Sequence, residues 1–169
     1  LFDLLERDIV DWSPRDSIPT TGASVDQKIR GMGPIPAWWF NILTEGEWPF
    51  EVIEDPEEHA YSLARVFKQD VRRDFDEHCS RSGIRSPGAS GRSVDMLFAA
   101  ELKKLVPGLE PHMKARVPSD RIDVKTLGDG RAWCYGLPRI DDCRKAFETV
   151  LGGPVDWEHQ STVDLRDFA

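Results

Sequence analysis

The chain has 169 residues, enough for one domain with a sizeable core, and its 40% hydrophobic and 31% charged residues are typical of a globular protein. No apolar run is long enough to span a membrane, and no signal-peptide pattern opens the sequence. The net charge of −8 excludes binding to DNA through overall charge alone, and three cysteines without CxxC spacing indicate a reducing, cytoplasmic setting.

The charge is unevenly distributed along the chain. Residues 1–55 carry 11 acidic and 4 basic side chains, and residues 140–169 carry 7 acidic and 3 basic ones. Residues 56–139 carry 12 acidic and 15 basic side chains, a net charge of +3. A phosphate-facing surface is therefore expected in this middle segment, with weak and salt-sensitive binding.

Residues 1–50 are predicted to form a helical connector. Apolar side chains at helical spacing favour a helix over residues 1–9, which Pro14 ends. A short helix is expected over 24–30 and a compact buried helix over 37–43. Because the sequence opens inside the first helix, we expect this chain to be a piece of a longer protein.

Two adjacent tryptophans, Trp38 and Trp39, are candidates either for stacking on bases or for packing in a core or subunit interface. Glu45, Glu47 and Glu51 follow them closely. These carboxylates repel phosphate, so the core or docking role is favoured. The acidic N-terminal third is accordingly expected to contact protein rather than DNA.

The central elements are two predicted helices joined by a loop. The first spans residues 57–80, as one piece or two, and the loop over 80–93 is rich in Gly, Ser and Pro. The second spans 94–106, with Ser93 as its N-cap. The expected apolar stripe of the first helix is Leu63, Phe67, Val71, Phe75 and Cys79. The residues expected to be buried in the second helix are Val94, Leu97, Phe98, Leu102, Leu105 and Val106.

A hairpin is predicted next, with strands over 124–127 and 131–135 joined at Gly128-Asp129-Gly130. Strand alternation places Arg131, Trp133 and Tyr135 on one face. These two aromatic side chains either cover the core of the hairpin, which we favour, or stack on an unpaired base. A last helix over 141–151 is expected to bury Cys143, Phe147 and Val150, and residues 152–169 are predicted to be a mobile tail.

The order helix, loop, helix and hairpin is typical of a winged helix. We therefore predict a mainly α (α+β) fold: a winged helix-turn-helix over 57–151 with a C-terminal β-hairpin wing, preceded by the helical connector. Loop and hairpin cations are expected to bind backbone phosphate, while readout of bases by helix 94–106 is disfavoured because no Asn or Gln projects from it. The predicted nucleic-acid-binding residues are Arg72, Arg73, Arg81, Arg85, Arg92, Lys103, Lys104, Lys125 and Arg131.

No catalytic activity is expected of this chain. The spacings of its His and Cys residues match no zinc pattern, so neither a metal nor a cofactor is predicted. His78 and Cys79 near carboxylates raise the possibility of a thiol nucleophile in a hydrolase. Because Cys79 lies on the predicted apolar stripe, a buried structural cysteine is favoured. No GxxxxGK[ST] phosphate loop occurs.

Short motifs at both ends of the chain occur in an order that resembles one known family. The N-terminal motifs are Asp8–Arg15, Ile18–Thr21, Asp26–Lys28, Trp38–Trp39 and Leu43–Gly46. The C-terminal motifs are Arg131–Pro138, Cys143–Glu148, Leu151–Gly152 and Val155–Trp157. They are similar to the region after the motor domain in phage- and prophage-encoded primase–helicases, and the resemblance covers most of the chain.

This resemblance implies a C-terminal accessory domain of a replication initiator, with a primase–polymerase and a superfamily-three helicase upstream in the same polypeptide. The domain would be non-enzymatic and would position DNA for the helicase in a bacterial or phage-infected cell. The alternative is a protein-interaction module that docks the helicase ring or a host replication protein. The net charge of −8 and the Trp-rich acidic front favour that alternative.

Overall fold

The computed structural model describes residues 22–53, 63–84 and 92–159. These segments form a mixed α+β fold of five helices and a small three-stranded sheet. The helices are α1 (Gly22–Arg30), α2 (Pro34–Glu45), α3 (Lys68–Arg81), α4 (Arg92–Leu105) and α5 (Ile140–Leu151). The strands are β1 (Ala64–Phe67), β2 (Glu110–Arg116) and β3 (Arg131–Leu137).

The sheet is antiparallel, with β3 in the centre and β1 and β2 at the edges. Phe67 at the end of β1 lies opposite Cys134, and Arg116 at the end of β2 lies opposite Arg131. The pairing of β2 with β3 is irregular between Glu110 and Met113. A long loop, residues 117–130, joins the end of β2 to the start of β3 and closes the hairpin.

The helices pack on one face of the sheet around a single core. α2 contributes most to it, and Trp38 and Trp39 are at most 1% exposed, which confirms the prediction that they lie in a core. Pro34 suits the first turn of α2, because a backbone N–H at that position would have no acceptor within the helix and its absence costs no hydrogen bond. Gly46, at φ +76°, ends the helix by donating its N–H to the Ile42 carbonyl at 3.0 Å.

A second, smaller core lies on the opposite face of the sheet. The loop over 117–130 crosses that face and buries Val124 against it. The residues of this second core are Phe67, Ala115, Val124, Ala132 and Cys134. The sheet thus separates the helical core from the crossing loop.

Two predicted elements are wrong in position. The helix expected over 57–80 begins only at Lys68, because β1 precedes it, and residues 54–62 lie outside the described part. The strand expected over 124–127 does not form, and β3 pairs with β2 instead. Asp-Gly does make a turn, in which Gly130 N–H donates to the Leu127 carbonyl at 3.0 Å.

Two side chains expected in the core are exposed: Leu97 by 67% and Val150 by 54%. Each lies beside the apolar stripe of its helix, which runs through Phe98 and Leu102 in α4 and through Phe147 in α5. The prediction for these two positions is therefore wrong by about one residue of helical rotation, roughly 100°.

One hydrophobic core extends across the predicted boundaries between connector, domain and tail. α1 and α2 bury Val25, Ile29 and Trp38 in the same core as Phe147 of α5. Val155 is also buried in that core, although the mobile tail was predicted to begin at residue 152. Residues 160–169, like residues 1–21, lie outside the described part.

Candidate nucleic-acid interface

Arg72 of α3, one of the predicted DNA contacts, is engaged by carboxylates. Its Nε donates to Asp76 Oδ1 at 3.0 Å, and its Nη1 lies 3.4 Å from Asp95 Oδ1. The guanidinium also lies over the rings of Phe75 and Phe98, at 5.8 and 5.6 Å. Arg72 therefore links α3 to α4 and adds little positive potential to the surface.

Arg73 and Lys104 are neutralised in the same way. Arg73 donates from Nη1 to Asp123 at 3.1 Å and from Nη2 to Asp70, and these contacts raise its pKa. Lys104 donates to Glu101 Oε1 at 2.5 Å. These cations form local ion pairs, which lowers the attraction of this surface for phosphate.

The other predicted contacts are spread over the fold. Arg81 ends α3, Lys103 lies in the last turn of α4, Lys125 lies in the loop over 117–130, and Arg131 begins β3. All four are exposed, and none forms an ion pair within the described residues. Arg85 lies outside the described part, and α4 begins at Arg92, of whose side chain nothing is described. Three of the predicted residues, Arg72, Arg73 and Lys125, line one groove.

A different group of cations converges on the β2–β3 hairpin. Arg116 lies directly opposite Arg131, and Lys114 lies directly opposite Trp133. Opposed residues of an antiparallel pair share a face, and so do residues two apart along a strand, so all four side chains are on one face. Like charges directly opposite one another destabilise a sheet, so the pair Arg116 and Arg131 does not stabilise the fold.

Trp133 is at the centre of this group and is 42% exposed. Lys114 Nζ lies 4.7 Å from its ring centroid, and Lys68 Nζ lies 5.6 Å from the same ring and 4.9 Å from that of Tyr135. Partial burial lowers the pKa of Lys68. We call Lys68, Lys114, Arg116, Arg131 and Trp133 the basic face.

The cations of the basic face carry no carboxylate partner within the described segments. Asp129 lies two residues before Arg131, but it accepts a hydrogen bond from the backbone N–H of Arg131, at 3.2 Å. The basic face therefore presents four positive charges around one aromatic side chain. That combination suits a polyanion with aromatic groups.

A groove of about 750 Å³ adjoins the basic face along α3. Its walls include Trp133, Tyr135 and Phe98, and Lys68 lies at its edge. Tyr135 is 4% exposed, as expected for an aromatic residue that covers the core, and burial raises the pKa of its hydroxyl to about 12. Trp133 is only half-buried, because it faces this groove.

Lys68, Lys114 and Arg116 were not predicted as site residues from the sequence. β2 was not predicted, and without it Lys114 and Arg116 have no reason to lie beside Arg131. The available signal was the alternation of residues 112–116, in which Met113 and Ala115 are apolar and their neighbours are polar.

Within the described segments, no group of three or more His, Cys, Asp or Glu residues is arranged to hold a metal ion. No helix in the same segments is long and apolar enough to cross a membrane. Cys79 is fully buried, and burial raises the pKa of its thiol to about 11, which opposes its use as a nucleophile.

No protein-family model, curated protein or solved structure matches this chain. The resemblance to phage primase–helicases therefore stays a prediction.

Proposed function

We propose that this chain is a non-enzymatic winged-helix module that binds DNA, mainly through backbone phosphates. The observation that carries the proposal is the basic face, where Lys68 and Lys114 lie over the exposed ring of Trp133 and Arg116 and Arg131 share its face of the sheet. None of these cations has a carboxylate partner in the described part. Phosphate contacts of this kind supply most of the affinity of nonspecific DNA binding.

The order of elements supports the winged-helix assignment. In this proposal α3 and α4 are the helix-turn-helix pair, β2 and β3 are the wing hairpin, and β1 completes the sheet at the edge of β3. The basic face lies at the loop end of the hairpin, where Arg116 and Arg131 close the strand pairing. A hairpin tip is well placed to lie along a DNA backbone.

The exposed face of α4 favours backbone contact over base readout. Asp95 lies in its first turn, and Met96 and Leu97 are 71% and 67% exposed. An acidic residue and two aliphatic ones provide no bidentate donor to a base edge. Recognition is therefore assigned to the hairpin and not to α4.

The cellular role follows from the resemblance. We propose that the module positions DNA for a helicase and primase upstream in the same polypeptide, in the cytoplasm of a bacterial or phage-infected cell. The chain itself has no part in the ATPase reaction, since its sequence contains no GxxxxGK[ST] loop.

One observation favours a second candidate, a protein-interaction module. Met96 and Leu97 form an exposed apolar pair on α4, and exposed apolar patches can mark sites of protein–protein interaction. The net charge of −8 is also compatible with a protein partner. On this alternative the chain would bind the helicase ring or a host replication protein and would show no affinity for DNA.

Fluorescence anisotropy with a labelled 20-base-pair duplex at low salt tests the main proposal. The variant Arg116→Ala/Arg131→Ala is compared with Arg30→Ala/Lys145→Ala, which removes the same charge from exposed positions on α1 and α5. We expect the first to weaken binding and to lower the slope of log affinity against log salt by about 2, and the control to change neither. Equal effects of the two variants would contradict the proposal.

A further inference from the structure

We infer that the groove beside Trp133 accepts one unpaired base of a DNA strand whose phosphates contact the basic face. The module would then prefer single-stranded DNA over a continuous duplex. This inference rests on the proposed function, because it names the form of DNA that the same site selects.

The size and walls of the groove suit a base. Its volume of about 750 Å³ falls within the roughly 300–1,000 Å³ typical of small-molecule sites. Aromatic side chains line it from three elements: Phe67 from β1, Trp133 and Tyr135 from β3, and Phe98 from α4. Trp133 offers exposed ring surface on which a flat aromatic ligand can stack, whereas Tyr135 and Phe98 are each only 4% exposed.

The exposure of Trp133 is unusual for its position. It lies on the central strand of the sheet, on the same face as Tyr135 and Leu137, which are 4% and 0% exposed. Trp133 keeps 42% of its surface open because the groove runs past it. Bases stack on tryptophans of this kind without regard to sequence, because every base has a π-face.

Cations lie beside the aromatic wall of the groove. Asp76 and Asp95, which line the groove, are paired with Arg72, while Lys68 and Lys125 line the same groove. Lys68 and Lys114 have their amines within 5.6 Å of the Trp133 ring. Both amines lie over the ring, so a base that stacks there displaces a lysine amine, and that amine can then pair with a phosphate of the same strand.

A base in a continuous duplex cannot use this arrangement. Its two faces are covered by its neighbours in the stack, and exposing one costs unstacking energy. An unpaired strand carries no such cost. The duplex is expected to bind through the cations of the basic face, without a contribution from Trp133.

Anisotropy titrations of two labelled DNAs, a 15-nucleotide oligothymidine and a 15-base-pair duplex, test the inference in the same buffer. We expect the wild-type chain to bind the single strand at least fivefold more tightly. Trp133→Ala should weaken single-strand binding about tenfold or more and duplex binding less than twofold, while Trp133→Phe should retain single-strand binding within about threefold. Leu97→Ala, which truncates another exposed apolar side chain, is the control and should change neither affinity.

The possible outcomes separate this inference from the function on which it rests. If Trp133→Ala leaves both affinities unchanged, or lowers both equally, the inference is wrong even though the chain binds DNA. A wild-type preference for the duplex would also overturn it. If the wild-type chain binds neither DNA, the proposed function fails and the inference fails with it.

Discussion

Arg121 donates from Nη2 to both carboxylate oxygens of Asp70, at 2.8 Å each. Asp70 lies in the first turn of α3 and is 7% exposed, while Arg121 belongs to the loop that closes the β2–β3 hairpin. Arg121 also donates to Glu51 at 2.6 Å and to Asp123 at 3.0 Å. One guanidinium thus attaches the hairpin loop to the helical part of the fold.

This attachment predicts a large effect of Arg121→Ala on stability. The substitution leaves the Asp70 carboxylate buried with Arg73 as its remaining cation, and losing one partner of a buried pair costs about 3–5 kcal/mol. We expect the free energy of unfolding, measured by urea titration, to fall by about 2–4 kcal/mol because Arg73 compensates in part. Arg116→Ala, an exposed control, should change it by about 0.5 kcal/mol or less. A loss of less than about 1 kcal/mol in Arg121→Ala would show that the pair does not hold the loop.

The lowered pKa of Asp123 predicts that the stability of the fold depends on pH in the acidic range. Hydrogen bonds from Arg121 and Arg73 lower the pKa of Asp123 from 3.8 to about 2. A carboxylate whose pKa is lower in the folded state stabilises the fold above its unfolded pKa, and the stabilisation is lost as the pH falls through the folded pKa. We therefore expect the wild-type chain to lose stability between about pH 4 and pH 2, and Asp123→Asn to lose less over the same range. Urea midpoints at pH 5, 4, 3 and 2 measure this difference, and parallel curves for the two proteins would contradict it.

The close surroundings of Gly136, near the end of β3, predict that a larger side chain at this position destabilises the fold. A Cβ at this position would lie 2.6 Å from Met113 Sδ and 3.1 Å from Leu63 Cδ1. We expect Gly136→Ala to destabilise the chain by about 1–3 kcal/mol, the usual cost of overpacking. Gly128→Ala is the matched control, since a Cβ there meets nothing within 4 Å. Equal melting temperatures for the two variants would show that the side chains around Gly136 accommodate the added methyl group without loss of stability.

The cysteines predict slow labelling of the native chain. Cys79, Cys134 and Cys143 are buried and free, and burial raises their pKa values to about 11, 11 and 12. Because the thiolate is the reactive form, a thiol reagent at pH 7.5 should label the folded chain far more slowly than the unfolded one. In denaturant all three should react. Rapid labelling of a native cysteine would mean that its part of the core opens readily.

Local signals in the sequence predicted α1, α2, α4 and α5 well, but placed the start of α3 too early. Gly46 and Gly152 end α2 and α5 in left-handed conformations, as glycines after an apolar stripe usually do. The buried tryptophans of α2 were also correctly placed, because their acidic neighbours argued against DNA. Such features depend on a few consecutive residues, so a single sequence contains the information.

The hairpin and its site could not be predicted in the same way. β2 is an edge strand with Pro111 and several charged residues, which weakens the strand pattern, and its partner β3 is separated from it by 14 residues. The nearby Asp-Gly turn therefore suggested the wrong strand. Pairing of distant strands brings Lys114 and Arg116 to Trp133 and Arg131, and that juxtaposition has no local sequence signal.

An NMR titration of the ¹⁵N-labelled chain with short DNA tests the central claim most directly, because it locates the contact on the fold. We predict that the largest shifts occur at the amides of Lys114, Arg116 and Arg131 and at the indole N–H of Trp133, with little change along α5. Shifts confined to Met96, Leu97 and their neighbours on α4, or no shifts at all, would contradict the assignment of the basic face as the DNA-binding surface.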